Sequence, residues 1–239
     1  MSKTILIAGA TNGVGRALAE KLLDMGDKVI GVDKLPTDLK ATNYTHIICD
    51  FAAPSFEDDL LQKIEGVPDK FVYAAAIPNN TDSLSPNSKK VQELFHVNLI
   101  APWVISSLLL KKVIESESNL ESIVFISSIH AYATSKNRAA YAASKASLCS
   151  LTRSLAIDYA KYKTRVNTVA LGAVRTNMLT GLSSDELNVL EKRLLTGNVP
   201  QPAQVLGTII HLLSSGAEYV TGQTFIVDGG AMCQLASEI

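Results

Sequence analysis

The sequence of 239 residues has little of three things: paired cysteines, an excess of either charge, and long apolar runs. Its three cysteines, Cys49, Cys149 and Cys233, stand alone, which argues against a disulfide framework or a zinc site and predicts a reducing compartment. The net charge of -1 provides no electrostatic footprint for nucleic acid or anionic lipid. No apolar run has the length of a signal-peptide core or a membrane span. We therefore expect a cytoplasmic protein that acts on small molecules and holds no metal.

What the sequence does contain is short runs rich in isoleucine and valine, alternating with segments of helical period. The runs predict strands over residues 4–8, 28–32, 46–49, 70–75, 122–127, 166–170 and 224–228. Several are apolar throughout, as strands covered by helices on both faces require. Helices are predicted near 14–25, 56–65, 88–115, 139–162 and 202–214. This order predicts one α/β domain over residues 1–239, with a doubly wound, mostly parallel seven-stranded sheet of the Rossmann type and helices on both faces.

A glycine-rich turn, "AGATNGVG", follows the first predicted strand, and an acid ends the second. Gly9, Gly13 and Gly15 let backbone N–H groups approach a diphosphate at the start of a helix. Asp33, 20 residues after Gly13, can accept hydrogen bonds from a ribose hydroxyl. The glycines could instead relieve crowding where the helix packs on the sheet, and Asp33 could be an ordinary acid facing water. Strand, turn, helix, strand and acid in this order favour a dinucleotide site.

Three pairs place a tyrosine four residues before a lysine, so that on a helix the ammonium could lower the pKa of the phenol: Tyr132/Lys136, Tyr141/Lys145 and Tyr159/Lys163. The first pair lies in a segment predicted as loop, and the third lies at the end of a helix, where lysine is common. Tyr141/Lys145 opens a helix just after a loop that starts at the end of a central strand. That position favours Tyr141 as the proton donor, although a buried tyrosine beside an outward-pointing lysine remains the alternative.

Taken together, these motifs resemble the short-chain dehydrogenase/reductase family over nearly the whole chain. The resemblance also includes Asp50 after the third strand, Asn98 in "HVNLIAP", Ser128 thirteen residues before Tyr141, "LGAVRT" at 171–176 and the terminal "TGQTFIVDGG". It implies that Tyr141 is the general acid/base and that Ser128 hydrogen-bonds the reacting oxygen. It implies further that Lys145 holds the nicotinamide ribose and tunes Tyr141, and that Asn98 supports a proton-relay water.

The resemblance also implies a nicotinamide coenzyme that supplies or takes a hydride. Its expected binding residues are Gly9, Thr11, Asn12, Gly13, Val14, Gly15, Asp33, Asp50, Phe51, Ala74, Ala75, Tyr141, Lys145, Gly172, Val174 and Thr176. NAD is expected rather than NADP, because the carboxylate of Asp33 would repel a 2'-phosphate. Lys34 and Arg16 are the competing cations.

The chain departs from the family pattern at three positions. Tyr73 stands where an asparagine usually braces the central strand, Leu171 stands where a proline usually precedes glycine, and Ala8 replaces a common threonine. These changes leave Ser128, Tyr141 and Lys145 intact, but they predict different local support around the site.

The one long irregular stretch covers residues 171–199, and part of it, near 175–198, is predicted to be a substrate lid. Met178, Leu179 and Leu182 would cover the substrate, with Asp185, Glu186, Glu191 and Lys192 in water. The same apolar residues could instead pack the loop onto the protein. His130, two residues after Ser128, could face the substrate or be a loop histidine bonded to the backbone.

Two classes of function remain open. The first is an NAD(H)-dependent enzyme that interconverts a secondary alcohol and a ketone, with a small-molecule alcohol or ketone as its partner. The second is a non-catalytic dinucleotide-binding redox sensor or interaction protein on the same fold. The apolar helix "APWVISSLLLKKVI" and the family resemblance predict a homotetramer, with a dimer as the simpler case.

Overall fold

The computed structural model describes residues 2–78, 82–179, 181 and 183–233. Its seven strands form one parallel sheet in the order β3-β2-β1-β4-β5-β6-β7. The strands are β1 Thr4–Ala8, β2 Lys28–Asp33, β3 Tyr44–Ile48, β4 Lys70–Tyr73, β5 Ser122–Ser128, β6 Arg165–Leu171 and β7 Thr224–Val227. Because all strands run the same way, their carboxyl ends lie on one edge. The order reverses between β1 and β4, which is where open α/β sheets form a ligand crevice.

Helices cover both faces of the sheet, which explains why several of the strands are apolar throughout. The α-helices are α1 Gly13–Asp24, α2 Phe56–Lys63, α3 Ser88–Phe95, α4 Ala101–Ser116, α5 Ala139–Tyr159, α6 Ser184–Lys192 and α7 Leu206–Leu213. Neighbouring strand residues point to opposite layers: Leu6 joins a core with α2, α4 and α5, whereas Ile5 joins a core with α1 and α7. The doubly wound Rossmann architecture is thus confirmed.

The predicted elements differ from the observed ones mainly at their ends. The strand predicted over 46–49 begins two residues earlier, at Tyr44, and the one predicted over 70–75 ends at Tyr73. The helix predicted near 202–214 is a short 3-10 turn, Pro202–Val205, followed by α7. Within the predicted irregular stretch the structure has a further helix, α6. Its Ser183 and Glu186 form a reciprocal capping box, a signal that the sequence already carried.

A π-helical turn, His96–Ile100, joins α3 to α4 within the long helix predicted near 88–115. One extra residue in a helical turn leaves backbone carbonyls free for other partners, and such turns are frequent at functional sites. The hydroxyl of Tyr73 donates a hydrogen bond to the carbonyl of Val97 in this turn at 2.6 Å. Tyr73 therefore braces β4 directly, and this contact is the different local support predicted from the sequence.

The helical span Ser88–Ser116 is also long and apolar enough to pass a membrane-span test based on length and composition. Half of its most apolar window is buried inside the protein. Ile105 and Leu109 in α4 belong to the core beside α5. Packing of this kind is typical of a core helix, which has the same composition as a membrane span.

Candidate active site

A cleft of about 950 Å³ opens at the carboxyl edge of the sheet, across the point where the strand order reverses. This volume lies within the usual range for pockets that bind small molecules or cofactors. The predicted coenzyme residues that line it are Gly9, Asn12, Gly13, Val14, Gly15, Asp33, Asp50, Phe51, Ala74, Ala75, Tyr141, Lys145, Gly172, Val174 and Thr176. Of the remaining predicted site residues, Ser128 also lines the cleft, whereas Thr11 and Asn98 are not among its lining residues.

The glycine turn is shaped by close backbone approach. A Cβ on Gly9 would lie 2.5 Å from the amide nitrogen of Ala75, and a Cβ on Gly15 would lie 2.0 Å from the carbonyl oxygen of Gly9. Crowding between helix and sheet therefore does account for two of the glycines. It does not account for the open end of α1, where Asn12 makes no capping hydrogen bond with its side chain and no acid occupies the first turn. The backbone N–H groups there remain available to an anion.

Asp33 is held at the end of β2 by the chain around it. One carboxylate oxygen accepts a hydrogen bond from the amide of Thr11 at 3.1 Å, and the other accepts from the amide of Leu35 at 3.2 Å. The backbone amide of Thr11 thus supports Asp33, and Thr11 is not among the residues that line the cleft. Asp33 lines the cleft with its carboxylate fixed in place, which is a stronger constraint than a strand-end acid in water needs.

The two cations that could compete with Asp33 have different surroundings. Arg16 is already paired, with Glu20 at 2.7 Å and with Asp38 at 2.6 Å. Lys34 is exposed and lines the cleft next to Asp33. Lys34 could therefore approach a phosphate near Asp33 without breaking an ion pair, whereas Arg16 would have to break its pairs with Glu20 and Asp38.

Ser128, Tyr141 and Lys145 come together although they lie on different elements. Ser128 ends β5, while Tyr141 and Lys145 lie one turn apart in α5. The ammonium of Lys145 is 5.8 Å from the centre of the Tyr141 ring, and it donates a hydrogen bond to the carbonyl of Ile126 at 2.9 Å. Tyr141 and Lys145 are both buried. This arrangement provides a phenol, a hydroxyl and an ammonium around one point of the cleft.

Burial dominates the electrostatics of these groups. It raises the pKa of Tyr141, while the hydrogen bond with Ser128 and the charge of Arg138 act in the opposite direction. Burial lowers the pKa of Lys145 to about 8. The expected lowering of the Tyr141 pKa towards neutrality by Lys145 is therefore not met: the net shift is upward, and the phenol stays protonated at neutral pH.

Asn98 lies in the π-helical turn and is fully buried. Its side-chain oxygen accepts a hydrogen bond from the amide of Ile77 at 2.8 Å, and its nitrogen donates to the hydroxyl of Ser144 at 3.0 Å. These bonds tie the segment after β4 to α5, next to Tyr141. Asn98 thus holds α5, which carries Tyr141, in place against the segment after β4.

The other two tyrosine–lysine pairs are placed differently. Tyr132 lies in the loop after β5, half exposed, with its hydroxyl 3.8 Å from the sulfur of Cys149. Tyr159 is buried at the far end of α5, where its hydroxyl meets that of Ser107 at 3.2 Å. Neither tyrosine lines the cleft as described.

Several residues that line the cleft were not predicted from the sequence, and His130 had been left undecided. His130 faces the site: its ring centre lies 5.7 Å from that of Tyr141. Arg138 was missed, and its guanidinium carbon lies 5.9 Å from the same ring centre. From the predicted lid, Leu179 lines the cleft, as do Leu190 and Leu194 of the α6 region. Leu182 and the side chain of Met178 lie outside what the structure describes.

Within the described ranges, no group of three or more histidine, cysteine, aspartate or glutamate side chains is arranged to hold a metal ion. Cys49 and Cys149 are buried and apart, and Cys233 is exposed. The polar groups near Tyr141 in the cleft include the hydroxyl of Ser128, the ammonium of Lys145 and the imidazole of His130.

A parallel doubly wound sheet with a glycine turn, a strand-end acid and a buried tyrosine–lysine pair defines a dinucleotide-dependent oxidoreductase. A family model described as enoyl-(acyl carrier protein) reductase matches residues 9–232. The chain belongs to the short-chain dehydrogenase/reductase family.

Individual relatives are similar over almost the full length of the chain. The 3-oxoacyl-(acyl-carrier-protein) reductase FabG of Rickettsia prowazekii is 31% identical and covers 96% of this chain and 97% of its own. Carbonyl reductase family member 4 of Xenopus laevis is 31% identical, with 98% and 100% covered.

Solved structures agree in fold. The 4-hydroxyisoleucine dehydrogenase complexed with NADH has a TM-score of 0.91 at 27% identity, covering 98% of this chain and 100% of its own. A short-chain dehydrogenase from Leptospira borgpetersenii with bound NAD+ has a TM-score of 0.88 at 25% identity, with 97% and 93% covered.

Proposed function

We propose that the protein is an NAD(H)-dependent oxidoreductase that interconverts a secondary alcohol and a ketone, with Tyr141 as its general acid/base. The observation that carries this proposal is the convergence of Ser128, Tyr141 and Lys145 at one wall of the cleft. The retention of all three side chains also argues against the alternative, a non-catalytic sensor on the same fold, which would not need them.

The residues around the cleft fit a nicotinamide dinucleotide. The uncapped start of α1 suits the diphosphate, Asp33 suits a ribose diol, and Asp50 with Phe51 follows β3 at the adenine end. When bound, the coenzyme supplies or accepts the hydride. NAD is preferred because Asp33 repels a 2'-phosphate and Arg16 is held by Glu20 and Asp38. The neighbours solved with NADH and NAD+ support this choice.

The chain's own groups then handle the proton and the reacting oxygen. Ser128 donates a hydrogen bond to the carbonyl oxygen and orients it towards Tyr141. Tyr141, protonated because its pKa is raised, donates its proton to that oxygen during reduction and takes it back during oxidation. Lys145 holds its ammonium beside the ring and stabilises the phenolate that remains after proton transfer.

Asn98 has a supporting part in this mechanism. Its hydrogen bonds to Ile77 and Ser144 keep α5 and the segment after β4 at a fixed separation. In this position Asn98 supports the water of a proton relay to Lys145. Residues 175–198, including α6, act as the lid, because Leu179 and Leu190 line the cleft from that side.

A turnover assay tests the proposed function. Purified protein is incubated with NAD+ and a broad panel of secondary alcohols, or with NADH and the matching ketones, and absorbance of the reduced coenzyme is followed. We expect turnover of at least one pair, and turnover lower by about two or more orders of magnitude with Tyr141→Phe. Coenzyme binding in a fluorescence titration, without turnover on any member, would favour the non-catalytic alternative.

We further propose that the protein is a cytoplasmic homotetramer. Apolar side chains remain on the outer faces of α4 and α5: Trp103, Ile114 and Ile157 are 49%, 51% and 77% exposed. Tyr219, near β7, is fully exposed and gives a second candidate surface. Light scattering at micromolar concentration should give four times the chain mass, with twice the mass as the simpler outcome. A stable monomer would contradict the proposal.

A further inference from the structure

The charged groups that line the cleft are separated by sign. The only acids among the described lining residues are Asp33 and Asp50, at the ends of β2 and β3. Apart from Lys34, the basic side chains that line the cleft are Lys145, His130, Arg138 and Arg193. The first three lie within 6 Å of the centre of the Tyr141 ring by a charged group or ring centre, at 5.8, 5.7 and 5.9 Å. A coenzyme on the glycine turn would leave this basic end for the substrate.

Arg138 is a cation of this set whose charge no described acid compensates. It directly precedes α5, its guanidinium carbon lies 5.9 Å from the centre of the Tyr141 ring, and no acid within the described ranges forms an ion pair with it. By contrast, Arg16 pairs with Asp38, and Arg175 pairs with Glu191. A half-buried guanidinium in a cleft favours an anionic partner, because its planar fork matches a carboxylate.

His130 provides a second polar group at the same end. Its ring stands edge-on to Tyr141, and its Nδ1 lies 3.0 Å from the hydroxyl of Thr134. Burial, with a smaller contribution from the charge of Arg138, lowers the pKa of His130, so the ring is mostly neutral at pH 7. A neutral imidazole can donate one hydrogen bond to an anion without adding a second charge.

We infer that the substrate carries a carboxylate within a few bonds of its reacting carbon, and that Arg138 binds this carboxylate with His130 as a hydrogen-bond partner. The substrate class is therefore a short keto acid or hydroxy acid rather than a neutral ketone. This inference rests on the proposed function, because it places the reacting carbon at Tyr141.

Matched substrates provide the test. Short 2- and 3-hydroxy acids are compared with their methyl esters, which keep the carbinol and remove the charge. We expect wild-type kcat/KM to favour the acids by at least tenfold. Arg138→Gln should remove that preference mainly through KM, so that kcat/KM for the acids falls by at least tenfold more than kcat/KM for the esters. Arg138→Lys should restore part of the preference.

Arg153→Gln is the matched control, since Arg153 lies on the same helix, is exposed and does not line the cleft. It should leave the acid preference unchanged. Equal or better wild-type turnover of the esters would overturn the inference while leaving the proposed function intact. So would an acid preference that survives Arg138→Gln.

A binding measurement separates the two proposals if no substrate turns over. Butanoate, which has no carbinol or ketone, is added to the protein with NADH, and thermal unfolding is recorded. Stabilisation of the wild type and of Arg153→Gln, but not of Arg138→Gln, would support a carboxylate site even without catalysis. No stabilisation of the wild type by butanoate up to tens of millimolar, together with no turnover, would overturn the inference.

Discussion

The two ends of the cleft are built by different means. The coenzyme end is shaped by backbone: glycines let Gly9, Gly15 and Ala75 approach each other closely, and its charged wall residues are Asp33, Asp50 and Lys34. The other end is shaped by buried side chains from β5 and α5, and the shifted pKa values of Tyr141 and Lys145 lie there. We therefore expect recognition of the coenzyme to depend on the space and the backbone N–H groups that the glycines leave open. We expect the chemistry to depend on side chains whose pKa values burial has shifted.

The largest expected effect is at the chemical end. Tyr141→Phe removes only the phenol oxygen, so turnover should fall by about two or more orders of magnitude while NADH binding, measured by fluorescence, is retained. Tyr159→Phe is the control, because its hydroxyl contacts Ser107 outside the cleft. An active Tyr141→Phe protein, or a folded but inactive Tyr159→Phe protein, would show that the wrong tyrosine has been assigned.

A change at the coenzyme end should act through shape. In Gly15→Ala the new Cβ meets the carbonyl oxygen of Gly9, which is backbone and cannot swing aside. We expect a loss of about 1–3 kcal/mol in the free energy of unfolding, measured in urea, and weaker NADH binding. Gly207→Ala in α7 has no atom within 4 Å of its Cβ and should be neutral or stabilising. Equal behaviour of the two variants would contradict the steric account.

Burial of the Lys145 ammonium should lower the free energy of unfolding of the protein. The folded protein lowers the pKa of Lys145 from 10.5 to about 8, so the unfolded chain binds more protons between these values and stability rises with pH there. At pH 7 the full penalty is present. Lys145→Met should therefore be inactive yet more stable by on the order of 1–3 kcal/mol. The gain should shrink as the pH rises from 8 towards 10.5, and a pH-independent difference would exclude this cause.

The smallest expected effect concerns the choice of coenzyme. The wild type should prefer NAD(H) over NADP(H) by about tenfold or more in kcat/KM, since one unfavourable charge contact of about 1.4 kcal/mol gives that factor. Asp33→Ala should remove most of the preference. Asp38→Ala, at a carboxylate outside the cleft that holds Arg16, should change the ratio less. A wild-type preference for NADP(H), or an unchanged ratio in Asp33→Ala, would show that Asp33 does not determine the choice of coenzyme.

The contrast between the two ends also explains what the sequence could predict. The glycine turn and Asp33 follow from a local strand-turn-helix pattern, and the Ser128, Tyr141 and Lys145 positions follow from spacing and resemblance. Arg138 was not predicted, because its approach to Tyr141 depends on how the loop after β5 folds back. Tyr73 could be recognised only as a departure, since its partner, the carbonyl of Val97, is released by a π-helical turn that has no sequence signature. The α6 helix was missed despite a readable capping box.

The π-helical turn at His96–Ile100 limits which changes in length the sequence can accommodate. One additional residue rotates everything after it by about 100° around the helix axis relative to a regular helix. Ile105 and Leu109 of α4, which follow the turn, pack in the core, and Asn98 reaches Ile77 and Ser144 from the turn itself. Deletion of a single residue there would therefore misalign both at once. We therefore expect a deletion or insertion within His96–Ile100 to destabilise the protein more than a conservative substitution there does.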